Sequence, residues 1–256
     1  MNAIRAMQWA TRALLALAAL VACGAGALAL AQHPQFEFRS IEVRGVAGDA
    51  PRHVTEASIR AAIGGRLVGN FFTMPMGETR RLFESVPWVA KASVRRVWPD
   101  RLLVTLDEHR AIGLWSDGRV LSDRGRLFVA NAAEAELDGV LVSFSGPAAL
   151  AEVAALRFAE ASAVLVPIAL TVSAIDVSDR ASWSLSTATP TGKGPHFALG
   201  RDEPAGRLRE RLSAIAAAWP MVVAHLDRPP ARIDARYATG FTAAPATPST
   251  EKSRAR

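Results

Sequence analysis

The sequence predicts an α+β protein carried behind a single membrane-crossing helix, and three stretches predict it. Ala13 to Ala31 reads ALLALAALVACGAGALALA, an apolar run without a charge. Phe83 to Glu108 reads FESVPWVAKASVRRVWPDRLLVTLDE, two strands joined by a tight turn. Beyond residue 109, short strand patterns and turn signals recur, interrupted by two helical stretches.

The apolar run is long enough to cross a bilayer core as a helix. Arg5 and Arg12 precede it, and no acidic residue occurs before Glu37. That bias keeps residues 1–12 in the cytoplasm and sends the rest across the membrane. Ala29-Leu30-Ala31 also has the small-x-small form of a signal-peptide cleavage site. Both readings export everything from residue 32 onward.

Residues 36–108 read as β-α-α-β-β. From Phe38 to Gly45, Ile41 and Val43 alternate with Glu42 and Arg44, as one strand with an inward face. Thr55 is placed to cap a short helix carrying Ile59, Ala62 and Ile63, which Gly64-Gly65 ends. Phe71-Phe72 falls in a loop. A second helix is expected from Pro75 to Ser85, with Met76, Leu82 and Phe83 inward and Arg80 and Arg81 outward. The hairpin follows. Leu102, Val104 and Leu106 alternate with Leu103, Thr105 and Asp107, and Trp98-Pro99-Asp100 reads as a type I turn.

Residues 109–243 read as a mainly antiparallel β domain with two helices. Strands are expected at Ala111–Trp115, Arg119–Ser122 and Arg126–Val129, joined by turns at Ser116-Asp117-Gly118 and Asp123-Arg124-Gly125. A helix from Ala148 to Ala163 follows. Further strands are expected at Leu170–Val177, Ser182–Ser186 and His196–Leu199. Leu208, Leu212, Ile215 and Trp219 mark one face of a helix from Pro204 to Trp219, which Pro220 should end; Arg207, Arg209, Glu210 and Arg211 read as its solvated side. In the last strand, Ala231 to Tyr237, Ala231, Ile233, Ala235 and Tyr237 share one face. Ala238-Thr239-Gly240 should turn or bulge into Phe241. Tyr237 is either a core residue or a contact residue. Residues 244–256, rich in Pro, Thr and Ser with a charged end, read as a disordered tail.

Composition excludes several classes. The chain of 256 residues is 50% hydrophobic and 21% charged, so it can bury cores along most of its length. Its net charge of +6 comes almost wholly from dispersed arginines, and no nucleic-acid-binding motif accompanies it. Cys23 is the only cysteine, which excludes internal disulfides and cysteine-metal sites. The five histidines, His33, His53, His109, His196 and His225, have no metal-ligand spacing. Phe144-Ser145-Gly146 lacks the first glycine of a nucleophile elbow, and Gly192-Lys193-Gly194 is not a phosphate-binding loop. Asp107 and Glu108 are adjacent on a strand and point to opposite faces, so they cannot form an acid/base pair. No catalytic residue, metal ligand, cofactor site or small-molecule substrate is expected.

Val86 to Trp115, VPWVAKASVRRVWPDRLLVTLDEHRAIGLW, resembles the junction of the two exported domains in the FtsQ/DivIB family of bacterial cell-division proteins. Pro87-Trp88-Val89, Trp98-Pro99 and Trp115 carry the likeness. It continues through Gly125 and Phe128 to Leu199-Gly200-Arg201 and to Ile233-Asp234-Ala235-Arg236-Tyr237 with Gly240. It is ordered from about residue 13 to residue 243. The resemblance implies a short cytoplasmic segment (1–12), an uncleaved transmembrane helix (13–31), a POTRA domain (36–108) and an FtsQ-type β domain (109–243).

The function it implies is an essential, non-enzymatic scaffold of the division complex at the inner membrane. The N-terminus would be cytoplasmic and the bulk periplasmic, at the division site. Such a scaffold links early and late division proteins, binds FtsB- and FtsL-like single-pass proteins together with other divisome components, and helps control septal peptidoglycan synthesis. In that family an FtsB segment adds to the last strand of the β domain. Carried over by motif, the partner-binding residues are Arg201, Arg236, Tyr237, Thr239 and Gly240. The sequence departs from the pattern in its very short N-terminal segment and its proline-rich tail. A POTRA-bearing transport or assembly component is the alternative, but it would need a large β-barrel downstream. An exported cell-wall enzyme would need a catalytic constellation that the residues do not supply.

Overall fold

The computed structural model describes residues 2–31, 33, 36–237 and 239–245. The chain divides into two compact units, Met1–Glu108 and His109–Arg256.

The first unit opens with helix α1 (Asn2–Ala31). Within it, Met7–Ala27 is a stretch of 21 residues long and apolar enough to cross a membrane. A helix of that length rises about 31 Å, close to the thickness of a bilayer core. The segment expected ahead of the span is helical as well. It contains no glycine or proline, and its Ala, Met, Gln and Arg residues favour helix.

The folded part of this unit has the expected order: β1 (Ser40–Gly45), α2 (Glu56–Ile63), α3 (Met76–Glu84), β2 (Val89–Val97) and β3 (Arg101–Glu108). The sheet runs β1-β3-β2, with β1 parallel and β2 antiparallel to the central β3. Leu102, Val104 and Leu106 on β3 are fully buried with Phe83, Ile63 and Val86. Thr55 caps α2 through a reciprocal pair with Ser58. Gly65, just past that helix, holds a φ of 72°.

The structure alters several details. Ile41 is 44% exposed instead of inward. It lies on an edge strand and faces an open groove shared with Phe38, Leu67 and Met74, which the helices leave uncovered. The Trp98–Pro99 bond is cis, which the type I turn reading did not anticipate. Glu108 is a structural clasp: its carboxylate accepts the backbone N–H groups of Arg52 (2.8 Å), His53 (2.9 Å) and Val54 (2.8 Å). Those bonds pin the segment that leads into α2. Beside them His53 stacks on the buried Trp88 at 4.0 Å.

The second unit is built on a nine-stranded sheet ordered β12-β11-β10-β9-β8-β7-β4-β5-β6. In chain order its elements are β4 (Ala111–Trp115), β5 (Val120–Ser122), β6 (Leu127–Phe128), α4 (Ala132–Ala135), β7 (Val142–Ser145), α5 (Ala151–Leu165), β8 (Thr171–Val177), β9 (Ser182–Thr189), β10 (Gly192–Arg201), α6 (Arg207–Leu226), β11 (Arg232–Asp234) and β12 (Thr242–Ala244). Five of the pairings are antiparallel; β4 with β7, β7 with β8, and β10 with β11 are parallel. Helices α5 and α6 supply Ala154, Ala161, Leu165, Leu208, Leu212 and Ile215 to the same core as Trp115, Phe144, Phe197 and Ile233.

Strand β7 and helix α4 went unread in the sequence. So did the length of α6: Pro220 lies inside the helix instead of ending it. A proline there removes one hydrogen bond and costs about 3 kcal/mol. The apolar stripe continues past it through Val222, Val223 and Leu226, all half-buried, and that packing offsets the cost.

Candidate partner-binding site

The site lies at the β12 end of the sheet. Strand β10 runs parallel to β11 from His196 to Ala198, and the Ala235 N–H extends the ladder to the Ala198 carbonyl at 2.8 Å. The expected strand from Ala231 to Tyr237 therefore ends early, at Asp234. Its carboxylate explains why. Asp234 Oδ1 accepts the backbone N–H of Arg236 at 3.2 Å, a local turn that competes with the ladder. The chain then leaves the sheet and returns as β12, antiparallel to β11, with Asp234 opposite Thr242 and Arg232 opposite Ala244. Ala244 thus belongs to the sheet, although the tail was expected to start there. Ala238 and the tail from residue 246 lie outside the described residues.

Beside this return runs an open groove of about 280 Å³, lined by Arg207, Glu210, Arg211, Tyr237, Thr239, Gly240 and Phe241 among others. Three of the five expected contact residues, Tyr237, Thr239 and Gly240, meet there. Tyr237 is 58% exposed, so it is not the core residue that its alternation with Ile233 and Ala235 allowed.

Arg236 and Arg201 are exposed but do not line the groove. Arg236 grips Asp234 through Nε, at 2.9 and 3.1 Å, and through Nη2 at 2.6 Å. Those bonds hold the Asp234 carboxyl below the usual carboxylate range and raise the Arg236 guanidinium. A carboxyl whose folded pKa is depressed stabilises the fold above its unfolded pKa. That contribution is lost as pH falls through the folded value. The Asp234 carboxyl carbon, followed by NMR, should therefore titrate below an ordinary aspartate, and Arg236→Ala should return it upward.

Arg211 is the residue that sequence reading misjudged. Instead of facing solvent, its Nη1 donates to the carbonyls of Leu199 and of Arg201, the latter at 3.0 Å. The pairing of β10 with β9 is irregular between Ala198 and Gly200, and Gly200 holds a φ of 75°. A Cβ at Gly200 would stand 3.3 Å from Arg236 and 3.5 Å from Arg211. The glycine of Leu199-Gly200-Arg201 thus brings the end of β10, α6 and the Asp234–Arg236 turn together. A glycine between two strand residues was the available signal. Phe241, also in the groove, had none beyond its place after Gly240.

Among the described residues, no three His, Cys, Asp or Glu side chains stand close enough together to hold a metal ion.

Two protein families match the two units of the chain. The family described as "POTRA domain, FtsQ-type" matches residues 36–109. The family described as "Cell division protein FtsQ/DivIB, C-terminal" matches residues 113–236, so Tyr237, Thr239 and Gly240 lie just past its end. The chain is 37% identical over 240 residues to the cell division protein FtsQ of Burkholderia pseudomallei, covering 94% of this chain and 92% of that one. It is 35% identical over 246 residues to the FtsQ of Bordetella pertussis, covering 91% and 88%. The FtsQ of Nitrosospira multiformis is 29% identical over 211 residues, covering 82% and 84%.

Proposed function

Since the chain belongs to the FtsQ/DivIB family of cell division proteins, we propose that it scaffolds the division complex by adding a partner's strand to β12. The partners are FtsB- and FtsL-like single-pass division proteins, with other divisome components joined through them. Through that complex the protein helps control septal peptidoglycan synthesis. Helix α1 anchors it in the inner membrane, with the short N-terminus cytoplasmic and the two exported domains in the periplasm at the division site. The boundaries of this reading are 1–12, 13–31, 36–108 and 109–243, with the tail beyond.

The observation that carries the proposal is the end of the nine-stranded sheet. β12 is its terminal strand, and no strand among the described residues pairs with its outer side. An edge strand offers N–H and C=O groups that an added strand completes. The adjoining groove offers Tyr237 as an aromatic anchor and Arg207 against acidic side chains. Arg201 and Arg236 extend the basic rim.

The test is a titration of the full chain in nanodiscs with the periplasmic segments of the organism's FtsB- and FtsL-like proteins. Tyr237→Ala should weaken binding by about 1–2 kcal/mol, more than most interface residues contribute. Because Tyr237 is mostly exposed, the fold should be unchanged. Full-strength binding by the variant would move the contact elsewhere, and no binding by the wild type would refute the scaffold.

A further inference from the structure

We infer that the end of the first domain nearest α1 is a membrane-contact surface, seating exposed aromatic side chains in the headgroup layer of an anionic bilayer beside the anchor. This rests on reading α1 as an uncleaved membrane helix.

The side chains concerned come from three separate segments that the fold brings to one end. Phe71 N–H donates to the Phe36 carbonyl at 2.8 Å. Phe36 packs edge-on against Phe72 at 4.9 Å, and Phe38 lies 5.9 Å from Phe71. The Arg39 N–H donates to the Asp100 carbonyl at 2.9 Å, which draws the β2–β3 turn to the same end. Arg96 reaches across to the Met74 carbonyl at 2.8 Å and ties that turn to the phenylalanine loop.

On this end the large apolar groups face outward. Trp98 is 76% exposed at the turn, Phe72 is 52% and Val68 is 71%. Ile41 is half out beside them, over the groove it shares with Phe38 and Leu67. A tryptophan this exposed on a water-soluble face is unfavourable; at a membrane interface, where one end is apolar and the other wet, it is favoured. The charges agree. Exposed Arg39, Arg66 and Arg101 stand here, with Glu37 and Asp100 the nearby acids and Asp100 already paired to Arg39 at 3.4 Å. Arginine stems lie along apolar surface while their heads meet phosphate.

Chain length supplies the occupant. Even fully extended, the residues from Ala31 to Phe36 span at most about 18 Å. The headgroup layer on each side of the hydrocarbon is roughly 5–8 Å thick. An end tethered that closely to an anchor meets lipid before it meets anything else.

The experiment uses the full chain in nanodiscs containing phosphatidylglycerol, with Cys23→Ala removing its only thiol. Nitroxide labels are placed singly at Val68→Cys, at Val46→Cys at the far end of β1, and at Leu17→Cys in the anchor. Collision rates with oxygen and with a water-soluble nickel chelate are compared. The inference expects labels 17 and 68 to favour oxygen severalfold and label 46 to favour the chelate. Trp98→Ser with Phe72→Ser should shift label 68 toward the value at 46. If label 17 is in lipid but label 68 behaves as label 46, the contact surface is refuted and the anchor stands. If label 17 is in water, the anchor reading falls and takes this inference with it. If the serine substitutions leave label 68 unmoved, the aromatic side chains are not what holds it there.

Discussion

Gly113→Ala should destabilise the second domain by about 3 kcal/mol or more, at the upper end of what overpacking a core costs. Strand β4 passes so close to β7 at this point that an added Cβ would stand 2.1 Å from the Val142 carbonyl oxygen and 2.4 Å from the Phe144 ring. Neither can yield easily. Val142 is held in a parallel ladder opposite Gly113 itself. Phe144 is buried against Trp115 and Phe158. Trp115 is fixed in turn by its indole N–H, which donates to the Gly146 carbonyl at 3.1 Å. Urea unfolding followed by tryptophan fluorescence should show a lower midpoint for this domain. A loss below about 1 kcal/mol would mean that β4 and β7 separate readily.

The next largest effect is expected at Asp202, from about 2 to 4 kcal/mol on substitution with alanine. One oxygen of this carboxylate accepts the N–H groups of Gly206 and Leu208, both at 3.1 Å, satisfying donors at the start of α6. The other pairs with Arg157 of α5 at 2.6 Å, with both side chains largely buried. Asp202→Ala therefore uncaps one helix and strips a partner from a guanidinium that keeps only Glu160. Asp202→Asn should cost less, because it keeps an acceptor for the helix amides. The Arg157→Ala/Asp202→Ala double variant should lose less than the sum of the two single losses. Strict additivity would show that the pair does not couple α5 to α6.

What could be read from the sequence follows from how local each signal is. Thr55 as a helix cap, the alternation of Leu102, Val104 and Leu106, and the stripe from Leu208 to Trp219 are local patterns, and each forms the element it suggests. Strand β7 is only four residues; Val142 and Phe144 do alternate with Ser143 and Ser145, and Gly139 and Gly146-Pro147 flank it, but so short a run gave too little periodicity to be read as a strand. Pro220 was taken as a stop because its local cost is real; the residues beyond it are held by tertiary packing. The motif ending in Arg236-Tyr237 lies at the β12 end of the sheet. The order there did not follow from it. Asp234 turns the chain out of the ladder, and β12 instead of β11 becomes the edge. Arg211 looked like one of several solvated arginines because its partners are backbone carbonyls brought to it by the bend at Gly200.

The measurement that bears most directly on the scaffold is amide hydrogen exchange on the full chain, with and without the periplasmic segment of the FtsB-like partner. Strand addition predicts new protection in residues 241–245, together with Tyr237 and Thr239 in the groove. It predicts little change at β6, the other end of the sheet. Protection confined to β6 or to the first domain, with 241–245 exchanging as in the free protein, would contradict it.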